Sequence, residues 1–254
     1  MPTPPDELRA LVERYLDDLD LTPELGTLTE PMRHAIGGKR VRPVLCLATG
    51  EALGASPERL LPAAAAVELV HSFSLVHDDL PALDDDRERR GGPSVWALHG
   101  EASAILAGDA LLAEAFRLSL SYGTAGVASE LVESTLAMIG GQWLDIRGDG
   151  ARDELHRLKT GALFSASVCC ALAALDVPRS EQLPWRAFAA DVGLLFQIVD
   201  DILDGDGFVL DVGVDGARSL ADGAAERALS ELGRLDADTS VLAEIVGGLA
   251  SRTL

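Results

Sequence analysis

"LVHDDLPALDDDRERRGG", Leu75 to Gly92, sets five aspartates within nine residues and then three arginines within four. It closes an alanine- and leucine-rich run, "PERLLPAAAAVELVHSFSLVHD", that reads as a buried helix over Pro57 to Asp79. Pro81 breaks or bends that helix. The break turns Asp84 back toward Asp78 in the pattern Asp-Asp-four residues-Asp. A second set, Asp200, Asp201 and Asp204 in "FQIVDDILD", has members four residues apart on one face and a neighbour about 100° round. Two acidic clusters therefore sit at the carboxyl ends of long apolar helices.

Carboxylates at a helix C-terminus oppose the macrodipole by about 0.3–1 kcal/mol each, and neither cluster has a lysine beside it in the sequence. A cation from outside the chain would offset them. Mg²⁺ suits the donor type, because it takes oxygen ligands, keeps several waters and binds through a few carboxylates plus substrate phosphates. Two such sites facing each other would clamp a diphosphate. Cationic side chains are clustered as well: "GGKRVRP" carries Lys39, Arg40 and Arg42, and "RERRGG" carries Arg87, Arg89 and Arg90 next to glycines that permit close backbone approach.

Outward from these clusters the chain reads as all-α. Helices are expected near Pro5 to Asp18, Thr29 to Ile36, Val41 to Leu53, Ala102 to Ser121, Ala125 to Ile146, Asp153 to Leu175 and Pro184 to Leu203. "GGK", "GASP", "RGGPS", "YGTAG", "RGDG" and "DVPRS" are the turns between them. The segment "GDGFVLDVGVDG" after Asp204 lacks periodicity and is expected to be a loop or flap, followed by two shorter helices. The chain has 254 residues, nearly half hydrophobic, with no internal repeat or linker, which suits one domain over 1–254. Its formal charge of -20, with two lysines (Lys39 and Lys159), argues against nucleic-acid or anionic-membrane partners. Three cysteines, two of them adjacent, give no disulfide framework. The N-terminus lacks a signal-peptide pattern and no apolar run reaches the roughly 20 residues of a membrane span, so a cytoplasmic protein is expected.

Taken together, "GGKRVRP", "HSFSLVHDDLPALDDDRERRGGPS", "GDALL", "GGQWLD", "KTGALF" and "FQIVDDILD" resemble the motifs of the trans-prenyltransferase family, the farnesyl and geranylgeranyl diphosphate synthases, in order and spacing from Met32 to Asp204. The resemblance implies a helical bundle around a deep central cavity, usually homodimeric, with three Mg²⁺ ions bridging the aspartates and an allylic diphosphate. By the same resemblance Asp78, Asp84 and Asp200 are the principal metal ligands, with Asp79, Asp201 and Asp204 ligating directly or through water. Arg89 and Lys159 hold the allylic diphosphate; Lys39, Arg42, His71 and Arg90 hold the diphosphate of isopentenyl diphosphate. Thr160 and Gln197 turn oxygen dipoles to the cationic carbon skeleton. No protein nucleophile is required, because metal ions and fixed cations stabilise the departing diphosphate and apolar walls keep water from the carbocation.

In the family the product grows down the helix that carries the first aspartates. Phe73 lies five residues before Asp78, about 7.5 Å deeper by helical rise, and with Ser74 it is the expected determinant of chain length. An aromatic there, with the two-residue-longer first motif, resembles bacterial farnesyl diphosphate synthases and implies a 15-carbon product. One departure stands out: family members carry lysines after the second aspartate motif, and this chain has none beyond Lys159. The C-terminal part from about residue 205 is shortened, Arg218 is the candidate substitute, and Arg and Lys differ in reach. A geranylgeranyl or longer-chain synthase, a non-catalytic regulatory subunit and a terpene cyclase are the rival readings. The intact "DDILD" fits neither of the last two.

Overall fold

The computed structural model describes residues 2–148 and 152–253, apart from the side chains of residues 152, 153 and 253. Twelve α-helices account for most of the described chain: α1 (Pro5–Asp17), α2 (Thr29–Ala35), α3 (Val41–Ala52), α4 (Pro57–Asp78), α5 (Val95–His99), α6 (Glu101–Ser119), α7 (Gly126–Arg147), α8 (Arg152–His156), α9 (Ala162–Ala174), α10 (Leu183–Asp204), α11 (Phe208–Leu232) and α12 (Ser240–Ala250). Among the described residues the strands are a single antiparallel pair, β1 (Glu88–Arg89) and β2 (Gly92–Pro93).

Local chemistry sets the ends. Proline opens α1 and α4, where its missing N–H is harmless and its φ is already helical. Gly148 and Gly205 close α7 and α10 in the left-handed conformation that a side chain resists. Within the bundle, α4 and α9 are central. The run Ala63–Ala66 lets α4 lie close against α3, α6 and α9, and Leu163 to Leu172 is buried almost without interruption. By length and composition α4 could cross a membrane, contrary to the sequence expectation, but 67% of its most apolar stretch is buried inside the bundle. It is a core helix. Cys46, Cys169 and Cys170 are buried free thiols.

Three features depart from expectation. The segment after Asp204 is not a flap: α11 begins at Phe208, bends at Gly213 (φ 74°) and packs along α10. Its buried stripe, Ala217, Ala221, Ala224, Ala225 and Ala228, has helical spacing. Small residues interleaved with glycine and aspartate kept that stripe from reading as amphipathic. Second, the helix expected from Asp153 is interrupted by a π-turn over Arg157–Gly161 that carries Lys159 and Thr160. Third, a two-residue hairpin and α5 fill the stretch after the first aspartates. Asp149 and Gly150 of the "RGDG" turn lie outside the described residues.

Candidate active site

The first acidic cluster is shaped by the end of α4. Past Pro81 the backbone folds back, the amide of Asp84 donates to the carbonyl of Asp78 at 2.9 Å, and that of Asp85 to Leu80 at 3.1 Å. Asp85 and Arg90 both take positive φ, 53° and 56°, strain of the kind that concentrates at functional sites. Burial pushes the Asp78 carboxyl up to about 6, with Lys159 opposing and Asp84 adding to the shift. Asp79 is buried beneath it and accepts from Arg89 Nε at 2.9 Å, and Arg89 also bonds Asp86 at 3.0 Å.

The second cluster repeats this division of labour. Asp200 faces the same cavity as Asp78, and burial, then Asp204, raises its pKa against the pull of Lys39 and Arg42. Asp201 is buried instead, accepting from Gln197 Nε2 at 2.7 Å and from the backbone N of Phe208 at 2.8 Å. It thereby caps α11. Gly207 makes the approach possible, since a Cβ there would fall 1.9 Å from Asp201 Oδ2. Asp84 and Asp204 are exposed.

The cavity between these clusters has a volume of about 790 Å³. Its walls bring together Arg42, His71, Phe73, Ser74, Asp78, Arg89, Arg90, Lys159, Thr160 and Asp200 from five separate stretches of sequence. Lys39, Asp79, Asp84, Gln197, Asp201 and Asp204 do not line it. Lys39 borders a small cleft with Asp6 and Arg252, and Gln197, drawn to Asp201, lines a separate cavity behind α9 and α10. Gln197, expected to face the reacting carbons, here donates its amide to Asp201. Asp79 and Asp201, expected as ligands, accept hydrogen bonds from Arg89 and from Gln197 and the first turn of α11.

Cations are held rigidly. Arg42 lies over Phe164 at 4.6 Å and Phe196 at 5.4 Å, and its burial brings the guanidinium down to about 10 while Glu68 and Asp200 favour its charge. His71, 3.5 Å from Arg42 Nη1, is pushed well below the ordinary imidazole range, first by burial and then by Arg42, Arg90, Arg40 and Arg89. It is neutral near pH 7. Arg90 crosses the "GG" of "GGK", where a Cβ at Gly37 would stand 2.8 Å from its Nη1. Lys159 Nζ bonds Asp145 Oδ2 at 2.6 Å, and bare Gly141 admits the backbone that carries it.

Two contributors escaped the sequence reading. Glu68 forms a buried pair with Arg40 at 2.7 Å beneath the arginine cluster; its isolation between Val67 and Leu69 in an otherwise apolar helix was the available signal. Gln142, within the "GGQWLD" motif, lines the cavity with a buried Oε1 that has no hydrogen-bond partner among the described residues. Trp143 of the same motif also lines the cavity and is 57% exposed.

The donor chemistry fits Mg²⁺. With Arg89 on Asp79 and His156 facing Asp201 at 4.0 Å, half-buried Asp78 and exposed Asp200 are the carboxylates open to the cavity. Among the described residues no three acidic, thiol or imidazole groups converge into a closed metal cage. Ions held here would complete their shells with water and substrate oxygens, as Mg²⁺ commonly does.

Comparison with known proteins agrees with this geometry. The polyprenyl synthetase family model matches residues 26–213, ending at the glycine where α11 bends. The chain is 40% identical over 185 residues to a geranylgeranyl diphosphate synthase of Cyanophora paradoxa, covering 66% of this chain and 61% of that one. It is 37% identical over 260 residues to the farnesyl diphosphate synthase of Haemophilus influenzae, covering 86% and 88%. A crystal structure of an FPP/GFPP synthase from Zymomonas mobilis superposes with a TM-score of 0.83 at 30% identity, covering 97% of this chain and 99% of that one. Against the algal and plant relatives the chain spans roughly three fifths of their length.

Proposed function

Because the chain belongs to the polyprenyl synthetase family, we propose that it condenses isopentenyl diphosphate head-to-tail with an allylic diphosphate, releasing diphosphate. The carrying observation is that Asp78 and Asp200, from the ends of two different helices, face one cavity whose walls also carry arginine, lysine and apolar side chains.

Asp78, Asp84, Asp200 and Asp204 would hold Mg²⁺, three ions in all, which when bound neutralises the charge that develops on the leaving diphosphate. Arg89 and Lys159 orient that diphosphate from the chain itself, Arg89 being fixed by Asp79. Arg42, Arg90 and neutral His71, with Lys39 beyond the wall, receive the diphosphate of isopentenyl diphosphate. Thr160 and Gln197, joined by the cavity-lining Oε1 of Gln142, turn partial negative charge toward the carbocation. Phe73, Met138, Leu163 and Phe196 keep the cavity dry while the alkene attacks the allylic carbon and the proton lost passes to the released diphosphate.

Phe73 at the depth of the cavity favours a 15-carbon product. A 20-carbon product is the second reading, favoured by the resemblance to geranylgeranyl diphosphate synthases. The exposed apolar side chains Ile105 and Leu106 of α6 and Leu136 of α7 suit a homodimer contact. The activity is tested by diphosphate release: it should require both substrates and Mg²⁺ together and stop on chelation. Release from the allylic substrate alone at the full rate would mean hydrolysis rather than condensation.

A further inference from the structure

Phe73 and His77 stand one turn apart on α4 and both line the cavity. Where α6 passes His77, the chain has Gly108, and a Cβ there would lie 2.2 Å from His77 Nε2. The imidazole therefore rests directly on the α6 backbone. Its Nε2 is 3.1 Å from the carbonyl oxygen of Ile105; a carbonyl only accepts, so Nε2 carries the proton and the ring is held in one orientation. Nε2 also faces Asp109 Oδ1 on α6 at 3.9 Å, and on its other side the ring meets Phe73 edge to face with centroids 5.0 Å apart and planes at 76°.

We propose that His77, seated on Gly108, is a second determinant of product length: a wedge between α6 and Phe73 that fixes the Phe73 ring across the growing chain. The proposal rests on reading the cavity as a prenyl diphosphate synthase site with Phe73 at its depth. Removing the imidazole frees Phe73 to turn aside and adds the volume of a ring beside it. Adding a methyl group at Gly108 drives the imidazole toward Phe73 and the lumen.

The test is product length by mass spectrometry, with Mg²⁺, isopentenyl diphosphate and each allylic starter, for the parent, Phe73→Ala, His77→Ala, His77→Phe and Gly108→Ala, each checked for folding by circular dichroism. His77→Ala should raise the ratio of the next longer product to the parent product about tenfold, within the range that pocket volume controls. His77→Phe restores ring volume without the bond to Ile105 and should return the parent ratio. Gly108→Ala should shift products one unit shorter; if it does not fold, the two His77 variants decide. Lengthening by Phe73→Ala with no change in His77→Ala overturns the role of His77 and leaves the synthase reading standing. No product from the parent overturns the synthase reading itself.

Discussion

Asp84 returns to Asp78 through a backbone hydrogen bond of 2.9 Å, so two aspartates six residues apart stand together at the end of one helix, close enough for Asp84 to oppose charge on Asp78. Burial holds Asp78 near 6, and a carboxylate that burial makes costly to charge gains most from a cation. Asp78→Asn and Asp200→Asn should each lower kcat at least about a hundredfold, the scale on which a charge-stabilising group is lost from a transition state. Thermal unfolding of both variants should stay within a few degrees of the parent.

Asp201 should behave in the opposite way from its neighbour. Its carboxylate holds the first turn of α11 and Gln197, and loss of hydrogen bonds to a buried charged group costs about 1.5–3 kcal/mol each. Asp201→Ala should lower urea stability by at least that much. A variant as stable as the parent would remove Asp201 from its place as the cap of α11.

Beneath the arginine cluster, Arg40 is held by Glu68, with the two side chains 9% and 2% exposed. Removing one partner of a buried pair costs about 3–5 kcal/mol because the other charge is left uncompensated. Glu68→Ala should show that loss in denaturant titration. Glu68→Ala combined with Arg40→Leu should recover part of it.

A pH dependence follows from Glu114. Burial tends to raise this carboxyl, but hydrogen bonds from Thr22 and Arg117 outweigh burial and leave its pKa below 4.5. A lowered carboxyl pKa stabilises the fold above the unfolded value, and that contribution fades as pH falls through the folded value. Glu114→Gln should therefore be less stable than the parent at pH 7. The gap should close below pH 4.5, as read from urea midpoints across pH 3–7.

The sequence made some of this arrangement legible. Pro81 after two aspartates announced the chain reversal, and helical spacing put Phe73 one and a half turns below Asp78. Local pattern does not say where a side chain finds its partner. Asp79 and Asp201 look like their neighbours in sequence, but each sits about 100° round its helix from the cavity and meets Arg89 or α11 instead. Gln197 follows Asp201 because they are four residues apart on one face. The glycines of "GGK" read as loop flexibility, whereas Gly37 and Gly38 clear a path for Arg90, 52 or more residues away. The course of α11 was hidden because its buried face is alanine, whose small apolar surface signals little until α10 is beside it.

The central claim is that one cavity joins isopentenyl diphosphate to an allylic diphosphate and stops the chain at Phe73. Its most direct test is to incubate the purified protein with Mg²⁺, isopentenyl diphosphate and, separately, dimethylallyl, geranyl or farnesyl diphosphate, and to read product length by mass spectrometry. A 15-carbon diphosphate from the two shorter starters, with little extension of farnesyl diphosphate, is the predicted result. Efficient extension of farnesyl diphosphate would contradict Phe73 as the stop, and no extension of any starter would contradict the claim as a whole.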